Sequence, residues 1–582
     1  MRTSKALALS FKVAPELRTG LIVTLILAVI GTALQIVVPV VLQQIIDNEI
    51  LGTGEIDTTA VLRRGGFAMV AVLLAMVARL VSLRRLIRSS SSGLSQLRIR
   101  TFDHLHRLSM LELQAERRGA LVARVTSDIE TIQHWMEWGG VGMVLGVAQI
   151  LLALLVMVVY GWQLALATVV GVAAYTLMIV AFQRVLSKAH DRVRERVADS
   201  LSVTGEAISG LSTVRAYGME EIVMERVDGK LDEQFSAEVK TAIFASSLFS
   251  SAELFAGILT AMVVGLGVVF GPSWGISAGT LVAFLFLVNL LIEPIQRLVE
   301  TIDQAQSAGA GLRKILDIIE TPILIPDPVG GTRLPDRSLR VEFTDVSFHY
   351  PNGPDILGGI DIHIPAGERV AVVGETGSGK TTFAKLATRL LIPQAGQIAV
   401  GGVDIDDVPF DSLRSHIAYV PQEGFLFDAT VADNVRYGRP GVSDDLVRSA
   451  FEDIGLLDWV DSLPGGIETD VGELGGNLSA GERQLVALVR AWISNPSVLV
   501  LDEATSAVDP ALEVQIRNAI ERVTQGRTSI TVAHRLSTAE ASDRVLVFDG
   551  GEIVEDGSHA LLVASGGVYA SMHRDWEGST RG

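Results

Sequence analysis

Between Trp138 and Gln183 the chain carries no charged side chain. About 20 apolar residues cross the ~30 Å hydrocarbon core of a bilayer as a helix, so this run is too long for one crossing. The turn-like Tyr160-Gly161-Trp162-Gln163 divides it into a hairpin of two spans. Hydrocarbon offers a backbone amide no partner, which leaves the helix as the conformation for each span. Three more stretches follow the same rule. Leu21 to Val41 is uncharged, Gly65 to Leu83 is interrupted by Arg79 alone, and Thr241 to Ile292 contains one acid, Glu253. Gly271-Pro272-Ser273-Trp274-Gly275 splits the last stretch into a second hairpin. The pattern predicts six spanning helices, at about 17–46, 61–88, 137–160, 162–186, 241–270 and 276–300. Buried helices of a soluble protein are the competing reading, and uncharged runs of this length disfavour it.

Arginine and lysine set the orientation of such spans. Residues 84–124 carry nine arginines (84, 85, 88, 98, 100, 107, 117, 118 and 124), whereas the turns at Gly161 and Pro272 carry none. The loop after the first span is acidic through Glu49, Glu55 and Asp57 before Arg63 and Arg64. Both termini are therefore expected on the cytoplasmic side, in a bacterial inner membrane, with the first span as an uncleaved anchor. Helical pattern continues from Arg84 through Leu111, which predicts helices that project beyond the bilayer. His104 and His106, on that arginine-rich stretch, read as solvated rather than as metal ligands. Trp135 and Trp138 fall where an interfacial belt would lie. Phe249, Phe255, Phe284 and Phe286 read as helix packing or lipid contact rather than as the lining of a cavity. Charges inside a bilayer are costly, so Arg79 and Glu253 either reach the headgroups or face a wet cavity, and both readings stand.

Residues 321–340 contain four prolines and read as a linker, after which the composition changes. Gly374-Glu375-Thr376-Gly377-Ser378-Gly379-Lys380-Thr381-Thr382 fits the pattern G-x-x-x-x-G-K-[ST]. Val370–Val373 before it reads as a buried strand and Phe383–Leu386 after it as a helix start, the context this motif needs. Glycines let backbone N–H groups wrap a phosphate, Lys380 reaches the β/γ-phosphates, and the Thr381 hydroxyl suits Mg²⁺. Val498-Leu499-Val500-Leu501-Asp502-Glu503 reads as a buried strand ending in two acids. Ser479 and Glu482, in Leu478-Ser479-Ala480-Gly481-Glu482, make an S-x-x-E capping box at a helix start.

In this order and spacing the motifs resemble those of the ATP-binding-cassette (ABC) exporter family. The resemblance implies a half-transporter: an α-helical membrane domain of six transmembrane helices with long cytoplasmic extensions (1–320), the linker (321–340), and an α/β P-loop ATPase domain (341–582). It also implies that Asp502 holds Mg²⁺ with Thr381 and Gln422, partly through water. Glu503 is the implied general base, and His534, in Val532-Ala533-His534-Arg535, the switch histidine. Tyr350 matches the aromatic that stacks on adenine, and Gln422 the glutamine near the metal. Ser479, Ala480, Gly481 and Glu482 match the signature that meets ATP in trans, although Ala480 and Glu482 replace the usual glycine and glutamine. Ser506-Ala507-Val508-Asp509 resembles the D-loop. Asp509 and Glu473, in Thr469-Asp470-Val471-Gly472-Glu473, are implied coupling residues. Gly119–Asp128 looks like a first coupling segment, and Glu206–Leu211 with Val214–Gly218 like a second.

A formal net charge of −18 argues against a nucleic-acid partner, and the absence of cysteine rules out disulfides and thiol chemistry. The expected function is ATP-driven transport, most simply export, of a hydrophobic or amphipathic small molecule across a lipid bilayer. Two half-transporter chains are needed, as a homodimer or a heterodimer; the altered signature leans towards a heterodimer. Import on the same fold and a non-transporting membrane ATPase are the alternatives. The substrate is not legible.

Overall fold

The computed structural model describes residues 21–52, 56–115, 118–336, 338–351, 353–502, 509–533 and 535–580. Glu55, Arg117, Glu503, Ser506, Ala507, Val508 and His534, all singled out above, lie outside the described residues. The chain divides into two compact units. One runs up to His106 and resumes over Arg118–Thr321; the other joins Arg107–Arg117 to the stretch from Pro322 onward.

The first unit is built on helices α1 (Leu21–Ile45), α2 (Thr58–Arg107), α3 (Val141–Ser209), α4 (Glu220–Trp274) and α5 (Ala278–Glu320). Among the described residues, these are the five helices long and apolar enough to cross a membrane. Helix α3 is broken at Gly161, where the backbone turns extended (φ −177°, ψ 90°), with one apolar half on either side. Helix α4 ends at Trp274, and Gly275 takes a left-handed conformation (φ 72°) whose N–H reaches the Gly271 carbonyl. Helices α4 and α5 reach well beyond the predicted spans, starting at Glu220 and ending at Glu320.

Helix α2 stops at Arg107 instead of continuing to Leu111. The reason is a second S-x-x-E box. Ser109 N–H and Oγ both donate to Glu112 Oε2 at 2.9 Å, and Glu112 N–H donates back to Ser109 Oγ at 3.4 Å. That starts a new short helix, Met110–Ala115. His104 is not simply solvated: its Nε2 lies 2.9 Å from the Thr321 carbonyl at the end of α5.

Met157, Leu164, Leu259, Phe284, Leu287 and Leu291 interlock as the buried core of α3, α4 and α5. Phe255 stacks on Tyr175 with ring centroids 4.3 Å apart, and Phe286 is exposed. The Phe249 side chain lies outside the described residues. Trp135 packs against a separate cluster that includes Leu94, Ile129 and Leu316, while Trp138 is exposed. On α2, Phe67, Leu73 and Leu74 point outward, as a helix bathed in hydrocarbon requires.

Asp47, in the π-helical turn that ends α1, clasps the start of α5. It accepts from the Ser277 hydroxyl, from Gly279 N–H at 2.9 Å and from Gln43 Nε2 at 2.5 Å. A Cβ at position 279 would lie 2.6 Å from both Asp47 Oδ1 and the Gln43 carbonyl, so the close approach requires glycine.

The second unit holds two sheets. β1 (Val341–His349), β2 (Asp355–Ile364), β4 (Ala395–Val400) and β5 (Val403–Asp404) form an antiparallel sheet in the order β2-β1-β4-β5. The larger sheet has the order β10-β9-β3-β8-β7-β6. Its members are β3 (Arg369–Gly374), β6 (Ile417–Val420), β7 (Val498–Asp502), β8 (Thr528–Val532), β9 (Arg544–Asp549) and β10 (Glu552–Gly557). All pairs but β9–β10 are parallel. Strands β7 and β8 are buried along their whole length; β7 accordingly reads as an apolar run up to Asp502, whereas β8 also buries Thr528, Ser529 and Thr531. Phe343, Phe383 and Phe548 join the two sheets across one core.

Replacing Asp47 with Ala removes three accepted hydrogen bonds and leaves the Gly279 N–H orphaned. A loss of about 1–3 kcal/mol is expected, read as a lower thermal midpoint of the purified protein in detergent. An unchanged midpoint would contradict the clasp.

Candidate active site

Strand β3 delivers the chain into the glycine loop. Gly374, Gly377 and Gly379 have φ of 151°, 89° and 100°. A Cβ on Gly374 would lie 2.2 Å from the Phe548 carbonyl oxygen of β9. One on Gly379 would lie 2.7 Å from Leu357. The loop is thus held open by backbone that an L side chain cannot follow, and it leads into helix α6 (Lys380–Ala387). Glu375 and Thr376 form its exposed crest, and Ser378 N–H donates to the Glu375 carbonyl at 3.2 Å. Lys380 Nζ reaches back to the carbonyls of Gly374 (2.9 Å) and Glu375 (2.6 Å). The lysine is 5% exposed; burial holds its ammonium pKa below the usual value, with Asp502 pulling the other way. The ammonium's other contact is the Ser378 hydroxyl at 3.5 Å, and a desolvated cation met by neutral oxygens is prepared for an anion such as phosphate.

Asp502, at the end of β7, is 4% exposed. Thr381 Oγ1 donates to its Oδ1 at 3.1 Å, and the Tyr419 hydroxyl donates to its Oδ2 at 3.0 Å. No cationic side chain lies within ion-pair distance of it among the described residues, although the Lys380 ammonium feels its charge. A buried carboxylate bonded to neutral hydroxyls fits a divalent cation that would ligate Asp502 and Thr381. Tyr419 was not evident from the motifs. It pairs with Val500 across β6 and β7, and side chains alternate along a strand, so Asp502 falls two residues on along the same face. Burial, then the Asp502 charge, pushes the Tyr419 pKa upward, so the hydroxyl remains a donor. Thr382 is buried, and its Oγ1 lies 3.2 Å from the Tyr350 hydroxyl; that ring is edge-on to Phe348.

Gln422 is exposed just beyond β6. The segment after it is stapled to α7 (Val431–Arg436) and α8 (Ala480–Ile493). A Cβ on Gly424 would lie 2.7 Å from the Arg483 carbonyl. Asn434, fully buried, accepts from Phe427 N–H at 2.8 Å and donates to the carbonyls of Phe427 and Thr430. Arg490 donates to the carbonyls of Asn434 (2.8 Å) and Phe425 (3.1 Å). Neither residue belongs to a recognisable motif.

Ser479 caps α8 in a complete capping box, with Ser479 N–H donating to Glu482 Oε2 at 2.8 Å. Trp459 Nε1 donates to Glu482 Oε1 at 3.4 Å. Burial works to raise the Glu482 pKa, but hydrogen bonds from Ser479 and Trp459 outweigh it and lower it. The carboxylate is therefore folded back into its own cap, and its replacement of glutamine is accommodated locally. Ser479 and Ala480 are exposed at the helix start, and Gly481 is buried.

Gly472 N–H donates to Asp470 Oδ1 at 2.9 Å, and Glu473 projects from the following 3₁₀ turn into solvent. Asp509 is exposed and caps helix α9 (Pro510–Thr524) through Ala511 N–H at 2.8 Å. The Gly119–Asp128 segment sits within the first unit, where Asp128 pairs with Lys314 at 3.3 Å. The piece before α3 that groups with the second unit is Arg107–Arg117, not Gly119–Asp128. The helix Leu211–Tyr217 is exposed apart from half-buried Val214, with Tyr217 78% exposed. Arg79 and Glu253 are both exposed on their helices, and no ion pair joins them among the described residues.

Gly374→Ala places a methyl against the β9 backbone, where no side-chain rotation relieves it. Loss of ATP-analogue binding is expected in the purified variant; binding within twofold of the parent would contradict the loop geometry.

The comparisons with known proteins come down on the same fold. Residues 21–295 match the family described as ABC transporter transmembrane region, and residues 357–506 match the one described as ABC transporter. An ATP-dependent lipid A-core flippase of Desulfotalea psychrophila is 32% identical over 84% of this chain and 85% of its own length. A fatty acid ABC transporter ATP-binding/permease protein of Mycobacterium tuberculosis is 34% identical over 90% of this chain and 83% of its own. Among solved structures, a bacterial Atm1-family ABC exporter with ATP bound superposes with a TM-score of 0.76 at 28% identity, covering 96% of this chain and 98% of the other. With membrane and ATPase regions matched in one chain, the protein belongs to the ABC transporter family, as an exporter-type half-transporter whose ATP-binding domain hydrolyses ATP in step with transport.

Proposed function

We propose that this chain is one half of an ATP-driven exporter of an acyl-chain amphiphile, acting in a bacterial inner membrane with its ATPase domain in the cytoplasm. The observation that carries the two-chain reading is an incomplete nucleotide site. Lys380, Thr381 and Asp502 gather beside the glycine loop, while the exposed Ser479 and Ala480 make no hydrogen bond to them among the described residues. A second chain's α8 would supply that helix start, with its N–H groups and positive dipole, to the γ-phosphate. The exposed Leu211–Tyr217 helix supports the same reading, as a surface offered to another chain.

Within that assembly Lys380 and the loop glycines hold the phosphates, and Tyr350 stacks on adenine. Thr381, Asp502 and, through water, Gln422 would hold Mg²⁺, which supplies charge neutralisation on the β/γ-phosphates. Glu503 takes the proton of the attacking water and His534 contacts the γ-phosphate. Glu473 and Asp509 carry the motion outward from the ATPase domain. Glu482 is satisfied in its own cap, so of the two signature departures only Ala480 still argues for an unequal partner. Expressed alone, the chain is expected to run as an ATP-hydrolysing dimer; an inactive monomer would point to a different second chain.

Two relatives are named for lipid A-core and for fatty acid, both acyl-chain amphiphiles. On α4, Ser246, Ser247, Ser250 and Ser251 line a groove beside Ile243 and Leu254, an amphipathic wall suited to such a molecule. Arg79 would favour an anionic headgroup. Purified protein in proteoliposomes is expected to show ATPase stimulation by anionic acyl amphiphiles over neutral ones; equal response, or none, would reject the substrate class.

Glu503→Gln is expected to lower turnover by on the order of 10²–10⁴ while retaining ATP; unaltered ATPase activity would refute the base assignment. Tyr419→Phe frees one Asp502 oxygen. At about 1 kcal/mol per hydrogen bond, kcat is expected to fall about fivefold with little change in KM for ATP. An unchanged kcat would show that Tyr419 does not position the carboxylate.

A further inference from the structure

Away from the nucleotide loop, three short elements at the far edge of the larger sheet bring two histidines and a glutamate together. Glu540 ends helix α10 (Leu536–Glu540). His559 opens helix α11 (His559–Ser565), directly after Ser558. His573 lies on helix α12 (Val568–Thr580), one turn beyond Tyr569. The floor beneath them is firm: Ala539, Leu562 and Tyr569 are buried with Val373, Val545 and Val547 of the parallel sheet. One ring nitrogen of each histidine and one carboxylate oxygen of Glu540 all lie within 4.8 Å of one another. His573 Nε2 is 3.8 Å from Glu540 Oε1.

A second observation orients the pair. The hydroxyl of Tyr569, which is fully buried, lies 2.8 Å from His559 Nδ1. That contact fixes the imidazole plane and engages Nδ1, leaving Nε2 as the ring atom with a free coordination site. A metal-bound histidine characteristically has its other ring nitrogen held in this way.

We propose that Glu540, His559 and His573 form a binding site for a divalent transition-metal cation of the Zn²⁺ class, with water completing the coordination. Two imidazoles and one carboxylate suit Zn²⁺, whereas Mg²⁺ takes oxygen ligands and would not compete. Ligands about 2.0–2.1 Å from a tetrahedral zinc stand roughly 3.3 Å apart, so the cluster must contract by about 1.5 Å at its widest. Glu540 can make that move, because its side chain is 46% exposed, while the His573 side chain, 13% exposed, stays in place. The chain has no cysteine, so no thiolate site draws the metal elsewhere. This is the one group of its kind among the described residues. Once bound, the ion would pin α10, α11 and α12 to one another.

The test is calorimetric titration of Zn²⁺ into the full-length, tag-free protein in detergent, without nucleotide and in a non-chelating buffer near pH 7.5. Micromolar or tighter binding of one Zn²⁺ per chain is expected. His573→Ala and Glu540→Gln should each weaken it at least tenfold. Because Glu540 is exposed, its amide variant folds regardless, and Mg-ATPase activity equal to the parent's checks both variants. Co²⁺ should give the visible absorption of tetrahedral coordination. Failure of the parent protein to bind Zn²⁺ at micromolar concentration overturns the proposal. So does parental affinity in either variant.

Discussion

A backbone amide in hydrocarbon has no water to turn to, and the first unit is arranged around that constraint. It explains why the described spans are unbroken helices and why the break in α3 falls at Gly161. It also explains why a polar clasp such as Asp47–Gly279 sits at helix ends rather than in their apolar middles. The second unit answers to water instead. Its polar groups can be spread over loops, and it can hold a buried carboxylate such as Asp502, satisfied by two hydroxyls, beside a desolvated lysine.

Local chemistry was legible in the sequence. The glycine loop, the acid ending a buried strand and the capping box at Ser479 each depend on residues within about ten positions of one another, and each reads directly off the chain. The spans were legible because a bilayer imposes length and apolarity. The contacts that hold the site in place were less so, because they are made across the fold. Tyr419 reaches Asp502 only because β6 pairs with β7 in one register. Asn434 and Arg490 matter only because the loop after Gln422 comes back over α7 and α8.

Two misreadings have simple physical causes. Helical pattern runs past the end of α2 because Ser109–Glu112, a capping box like that of Ser479–Glu482, lies inside a periodic stretch that masks it. Propensity alone does not say which of two adjacent helices a residue joins. His104 was read as solvated because its partner, the carbonyl of Thr321, is more than two hundred positions away. The glutamate at 482 was readable as a cap from the S-x-x-E pattern, and it is one. Its carboxylate accepts from Ser479 N–H, so the substitution for glutamine is absorbed by the cap.

The staple made by Asn434 and Arg490 has a mechanical consequence. From Phe425 to α8 the backbone is tied at several points to the same helical lobe, and Gly424 is pressed against the α8 main chain. Upstream, Tyr419 and Val420 are locked into the parallel sheet. Between those two anchored bodies on this side stands a very short exposed stretch, Pro421, Gln422 and Glu423. On this side, rotation of the lobe against the sheet is taken up there, so the lobe works as a lever hinged on a tripeptide. Gln422, proposed above to reach Mg²⁺ through water, would then lie inside the hinge about which the lobe turns.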